Sequence, residues 1–245
     1  MRYNLEILAY TLEACQVAEG AGADRIELCA NPGEGGTTPS SGVIREAIRR
    51  TSIPVFPMIR PRGGDFLYSE ADYAAMRLDI QLCKSLGAAG VVLGLLLPDG
   101  RVDRERTAAL VELAYPMDVT FHRAFDHSVD PREALEEIIR CGCTRILTSG
   151  QARTAPEGAD LIRALVEQAD DRIIIMPGSG VRAATLQALL HTTGAGEYHS
   201  SAASRSASRM TYQPPLWAEE LGTLVPDPDE IGAMRTLLQL AAKTY

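Results

Sequence analysis

DVTFHRAFDHSVDPREALEEIIRCGCTRILTSG, residues 118–150, reads as a strand, a helix and a second strand. Val119, Thr120 and Phe121 begin a β-branched and aromatic run, the composition of a strand packed on both faces. The run does not stay apolar: His122, Arg123 and Asp126 follow at once. DPREALEEIIRCG is helix-like, and RILTSG (145–150) is the next strand.

The same alternation extends in both directions. LEILAY (5–10), RIELC (25–29), PVFPMIRP (54–61) and GVVLGLLL (90–97) precede it as strands, each leading into a helix-like stretch. RIIIMPGSG (172–180) and EYHSSA (197–202) follow, and a last helix, DPDEIGAMRTLLQLAAK, lies near the C-terminus. Strict strand–helix alternation implies parallel pairing through helical crossovers. With eight strands in 245 residues, it predicts a single-domain (β/α)8 barrel over residues 1–245. A doubly wound open sheet is the rival. In a barrel, the loop after each strand lies at the catalytic face, and turns such as CGCT (141–144) lie at the opposite face. Residues 203–226, rich in Ser and Pro and carrying Trp217, form no obvious element. A long segment after the eighth strand is expected to act as a lid or a subunit contact.

Strand side chains alternate between faces. Leu5, Ile7 and Ala9 share one face against Glu6 and Leu8; Ile26 and Leu28 oppose Arg25, Glu27 and Cys29. Val55 and Ile59 oppose Phe56, Met58, Arg60 and Arg62; Glu197, His199 and Ser201 share a face. Thr120, His122, Ala124 and Asp126 face away from Arg123, which reads as a loop anchor on the helix side. The apolar sets pack under the helices, so Glu6, Glu27, Arg60, His122 and His199 converge inside the mouth. Unpaired buried charges cost several kcal/mol each, so such groups must pair, meet water or bind something. A structural Glu–Arg network is the bland alternative.

Glu6, Glu27, His122 and Asp126 are the candidate proton-transfer groups. Arg60 and Arg62, ahead of Gly63-Gly64, suit a carboxylate or phosphate. MPGSGV (176–181) offers Gly178 and Gly180 at a strand-to-helix turn whose N–H groups suit an anion, with His199, Ser200 and Ser201 adding donors. No Walker loop, nucleophile elbow or HExxH string occurs. Cys29 is the inward thiol and the candidate Cu(I) ligand. Cys141 and Cys143 form a CxC pair at the bottom face, and Cys15 and Cys83 fall within helices as core residues. The net charge of −8 argues against nucleic acid or an anionic membrane surface as partner. With no membrane-length apolar run and no signal-like start, a cytoplasmic protein with reduced cysteines is expected.

GADRIELC, EGGTTPSSG, MIRPRGGDF, VTFHRAFD, RILTSGQ and EYHSSA occur in order from the first strand to the eighth. In these strings the chain resembles the CutC family of copper homeostasis proteins, over roughly residues 4–202. The resemblance implies a (β/α)8 barrel, a cytoplasmic location, copper handling and self-association as a homodimer. Family members often carry a cysteine two residues after the first-strand glutamate; here that position is Leu8. Cys29 would have Met58 as its nearest soft helper. Two readings result: a copper-binding protein acting through Cys29, and an enzyme working by acid–base chemistry on a small anionic metabolite, phosphorylated ones included. A third is a non-catalytic barrel acting through a partner protein.

Overall fold

The computed structural model describes residues 3–212, 214, 216 and 221–244. Its strands are β1 (Asn4–Ala9), β2 (Arg25–Leu28), β3 (Val55–Pro57), β4 (Gly90–Leu93), β5 (Asp118–Phe121), β6 (Arg145–Thr148), β7 (Ile174–Pro177) and β8 (Glu197–Ser200). Between them run α1 (Leu12–Gly20), α2 (Ser41–Arg50), α3 (Glu70–Leu86), α4 (Arg104–Ala114), α5 (Pro131–Cys141), α6 (Ala159–Ala169) and α7 (Ala183–Thr193); α8 (Pro228–Thr244) follows β8.

The strands pair in parallel as β3-β2-β1-β8 and β4-β5-β6-β7. A Met58–Val92 bridge joins the two runs, with the Ile59 N–H on the Val92 carbonyl at 2.7 Å. β7 lies beside β8. The pairing of the first strand with the eighth, Asn4 opposite Glu197 and Glu6 opposite His199, closes the ring and rules out the open sheet.

Local sequence sets the helix ends. Thr11 caps α1 by accepting from the Ala14 N–H. Ser69 and Asp72 form a reciprocal capping box on α3. Pro131 opens α5 behind the Asp130 cap, and Gly142, at φ 85°, ends it.

The predicted outward residues, Leu5, Ile7, Ala9, Ile26, Leu28, Val55 and Ile59, are buried in the main core between ring and helices. Burying one such large side chain is worth ~1.5–3 kcal/mol. A second apolar cluster sits inside the ring: Cys29, Phe56, Met58 and Val92, with Leu8 and Tyr10 packed on it. Cys15 and Cys83 are fully buried in helices, as expected of core residues.

Residues 203–226 are not simply a loop. β9 (Ala203–Ser206) and β10 (Thr223–Pro226) pair antiparallel as the base of a hairpin, and β10 touches β1 and α1. Met210, Tyr212 and Leu216 are exposed along its excursion, and Trp217 lies outside the described residues. Among the described residues, no helix is long and apolar enough to cross a membrane.

Candidate active site at the barrel mouth

Inside the ring, charge begins at the floor. Arg25 Nε meets Glu6 Oε2 at 2.5 Å, and Arg25 Nη2 meets Glu197 Oε2 at 2.6 Å. Arg145 reaches the same Glu197 oxygen and Asp118, each at 3.2 Å. Both guanidiniums pack on the Phe56 ring, Arg25 5.0 Å and Arg145 5.1 Å from its centroid. Gly90 makes room for that ring, since a Cβ there would come within 2.4 Å of it. This is the Glu–Arg network of the bland alternative, and it occupies the lower half of the barrel.

Above it, Glu6 Oε1 holds His199 Nδ1 at 2.7 Å, and His199 Nε2 stands 3.8 Å from Glu27 Oε2. Burial opposes ionisation of Glu6, but the charges of Arg25 and His199 outweigh it and hold the carboxyl well below its usual range. Burial also opposes a charged His199, and the Glu27 and Glu6 carboxylates overcome it, raising its pKa. Glu27 behaves oppositely. Burial, only partly offset by His199 and reinforced by the Glu6 charge, pushes it up to about 7. Glu6 is therefore a fixed anion that orients His199, while Glu27 is the group poised for proton exchange.

A cavity of about 350 Å³ opens over this stack, lined by Glu27, Arg60, His122, Arg123, Arg182 and His199 together with Gly180, Ser200 and Ser201. His122 follows β5 directly. Its Nδ1 accepts from the Ala124 N–H at 3.1 Å, so the neutral ring carries its proton on Nε2. Burial first and the Arg60 charge second push its pKa down to about 3. Three buried polar atoms of these lining residues have no hydrogen-bond partner: Glu27 Oε1, His122 Nε2 and Arg60 Nε.

Arg60 is 5% exposed, and its guanidinium donates only to the carbonyls of Glu34, Gly36 and Gly64. It also lies 5.0 Å over the Phe66 ring. Arg182 donates to the Ala203 carbonyl. Neither arginine pairs with a carboxylate among the described residues. Within the Gly-Ser-Gly turn the Gly178 N–H donates to the Thr148 carbonyl, and the N–H groups just beyond the turn are also taken. The Arg182 N–H is taken by Thr185 Oγ1, and the Ala183 N–H at the start of α7 is taken by Glu230 Oε1. Gly180 borders the cavity; Gly178 lies deeper, where a Cβ would come 2.4 Å from Leu147.

The structure separates several other predicted residues from the cavity. Asp126 accepts from Thr148 Oγ1, from Ser149 N and Oγ, from the Gln151 N–H and from Arg123 Nε. It anchors the loop after β6, while Arg123, expected on the helix side, borders the cavity. The cause is local: the strand ends at Phe121, and a 3-10 turn over Arg123–His127 resets the alternation. Arg62 is spent on Asp65 and Asp72 at the surface. Arg182 escaped the sequence reading, although a basic residue two positions after the Gly-Ser-Gly turn was a usable signal.

The Cys29 thiol packs with Phe56, Met58 and Val92 and is not among the residues that line the cavity. Its Sγ is 3.8 Å from Glu27 Oε2, and Gly36 covers it so closely that a Cβ there would come within 3.1 Å. Burial, then the Glu27 and Glu6 charges, raise its pKa well above the ordinary thiol value. Met58, from the same cluster, does line the cavity, so Cys29 and Met58 make up the soft donor pair. Glu6, Glu27 and His199 bring one ligand atom each within 4.8 Å of one another, a hard-donor alternative that would compete with Arg25 for Glu6.

Comparison with known proteins follows from this geometry. The model of the CutC family matches residues 3–204. A CutC family protein from Chromobacterium violaceum is 53% identical over 209 residues, 85% of each chain. The human copper homeostasis protein cutC homolog is 48% identical over 211 residues, 86% of this chain and 77% of that one. The crystal structure of CutC from Streptococcus agalactiae superposes with a TM-score of 0.77 at 35% identity, covering 81% of this chain and 98% of that one.

Proposed function

The chain belongs to the CutC family, and from that membership and the geometry of the mouth we propose that it is an enzyme acting by proton transfer on a small anionic metabolite. One observation carries the reading. Unpartnered Glu27 Oε1 and His122 Nε2 belong to the walls of a cavity also lined by Arg60 and Arg182, which lack carboxylate partners among the described residues. A buried cation held only by carbonyls and a buried carboxylate oxygen without a donor are each costly unless a ligand completes them. The arginines bind the anion, Glu27 exchanges the proton and Glu6 positions His199.

The second reading is Cu(I) handling, with the ion as cargo on Cys29 and Met58. It is favoured by the copper homeostasis name of the human relative and by the pairing of thiol and thioether in one cluster. In either reading we take the protein to be a cytoplasmic homodimer, with residues 203–226 as lid or subunit contact. The exposed Met210, Tyr212 and Leu216 support the latter role.

Thermal melts with dihydroxyacetone phosphate and an anaerobic Cu(I) competition titration separate the readings. For an anion site, the phosphate ester stabilises the wild type, Arg60→Ala and Arg182→Ala abolish that shift, and Cys29→Ser keeps it. For copper handling, tight stoichiometric Cu(I) binding survives Arg60→Ala and disappears in Cys29→Ser. Stabilisation by the ester that persists in both arginine variants would sink the anion reading.

A further inference from the structure

Building on the acid–base reading above, we propose that the substrate is a small α-hydroxy carbonyl compound ending in an anion, and that the protein shifts the proton on the carbon beside its carbonyl. Glu27 is the base, and His122 Nε2–H is the hydrogen-bond donor to the carbonyl oxygen.

Beside Arg60 Nε, a donor of the anion grip, the unpartnered atoms of Glu27 and His122 differ in kind, and that difference selects the chemistry. Glu27 Oε1 is an acceptor with nothing to accept from. His122 Nε2 is a donor with nothing to donate to, because the Ala124 N–H already fixes the tautomer at Nδ1. The imidazole cannot easily swing to reverse these roles. Gly94 abuts it so tightly that a Cβ would come within 2.5 Å of Nδ1, and the Phe66 ring packs 5.0 Å away. A fixed neutral donor sharing one cavity with a carboxylate suits a substrate whose carbonyl oxygen gains charge as a neighbouring C–H loses its proton.

The lining residues offer little else to react. They include no lysine for a Schiff base and no cysteine, and Ser200 Oγ already donates to the Val181 carbonyl at 2.6 Å. Proton transfer needs no nucleophile. Arg60 and Arg182 supply the grip on a terminal phosphate or carboxylate. A cavity of about 350 Å³ falls at the small end of ligand pockets, in keeping with a compact metabolite.

The step balances without an oxidant or reductant. Glu27 takes the α-proton, and the C–H pair becomes the C=C bond. The carbonyl π pair moves to oxygen, where His122 Nε2–H stabilises it. The hydroxyl proton of the enediolate then moves to the former carbonyl oxygen, and Glu27 returns its proton to that carbon. An aldose has become a ketose, or the reverse.

The test is proton exchange in D2O, followed by NMR and mass spectrometry, with parallel thermal melts. The probes are dihydroxyacetone phosphate and ribose 5-phosphate for a phosphate end, and galacturonate for a carboxylate end. The expected result is deuterium at the α-carbon of at least one probe, with the responding arm identifying the anion. Glu27→Gln and His122→Gln should each slow exchange by about 100-fold or more while the probe still raises the melting temperature. A probe that stabilises the wild type without taking up deuterium overturns this substrate assignment and leaves the anion site standing. Exchange that is unchanged in Glu27→Gln also overturns it. If no probe stabilises or exchanges, both this assignment and the anion-site reading fall.

Discussion

Glu27 carries a cost in stability that depends on pH. Its carboxyl, ordinarily at 4.5, is pushed up to about 7 chiefly by burial. The folded state therefore binds this proton more tightly than the unfolded chain does. Its contribution to stability is intact below 4.5 and is lost as pH rises through 7. Glu27→Gln, which has no proton to lose, should be more stable than wild type near pH 8 by on the order of 2 kcal/mol, and the gap should close toward about pH 5. Denaturant melts across that range check both size and sign. A gap that widens toward acid would mean that Glu27 is charged and well paired when folded. His122 presents the complementary case: burial and the Arg60 charge keep it neutral, so it can donate from Nε2 without carrying a charge of its own.

The loop anchored by Asp126 matters at the scale of elements. This one carboxylate satisfies the Thr148 and Ser149 hydroxyls and the Ser149 and Gln151 N–H groups, tying the end of β6 to the turn after β5. Asp126→Ala should cost about 2–4 kcal/mol in urea unfolding, and Asp126→Asn less because it keeps an acceptor oxygen. The sequence carried much of this level. All eight barrel strands fall within segments legible as strands from the strand–helix alternation, and the inward–outward alternation sorted Leu5, Ile7, Ile26 and Val55 from Glu6, Glu27 and Phe56. Alternation fails where a strand has already ended. At the 3-10 turn over Arg123–His127 it exchanged the positions of Arg123 and Asp126. It is also silent on height along the barrel axis. Arg25, Arg145 and Glu197 were legible as strand residues, but only the register shows that they form a floor on which Glu6 is spent. The β9–β10 hairpin was illegible because its strands, ASRS and TLVP, have little apolar alternation.

For the whole molecule, the floor is the structural counterpart of the mouth. Phe56, on whose ring the Arg25 and Arg145 guanidiniums both pack, supports the buried ion network and fills the ring beneath Glu27. Phe56→Ala should destabilise the protein by about 3–5 kcal/mol, read from denaturant midpoints, because it opens a cavity and admits water to a buried ion network. A loss below about 1 kcal/mol would mean that the ion pairs alone carry the floor. The seam between β1 and β8 has a further consequence, for how the molecule comes into being. The contacts of Glu6 with His199 and of Asn4 with Glu197 each join residues 193 positions apart, and Arg25 reaches Glu197 across 172. Folding rates fall as contacting residues lie further apart along the chain. The early strands can pair through their local crossovers while the chain is still being synthesised, but Glu6 gains its histidine only when the eighth strand arrives. The Glu6–His199 pair is thus assembled by ring closure itself, and a chain stalled one strand short would keep most of its helices and lack that pair.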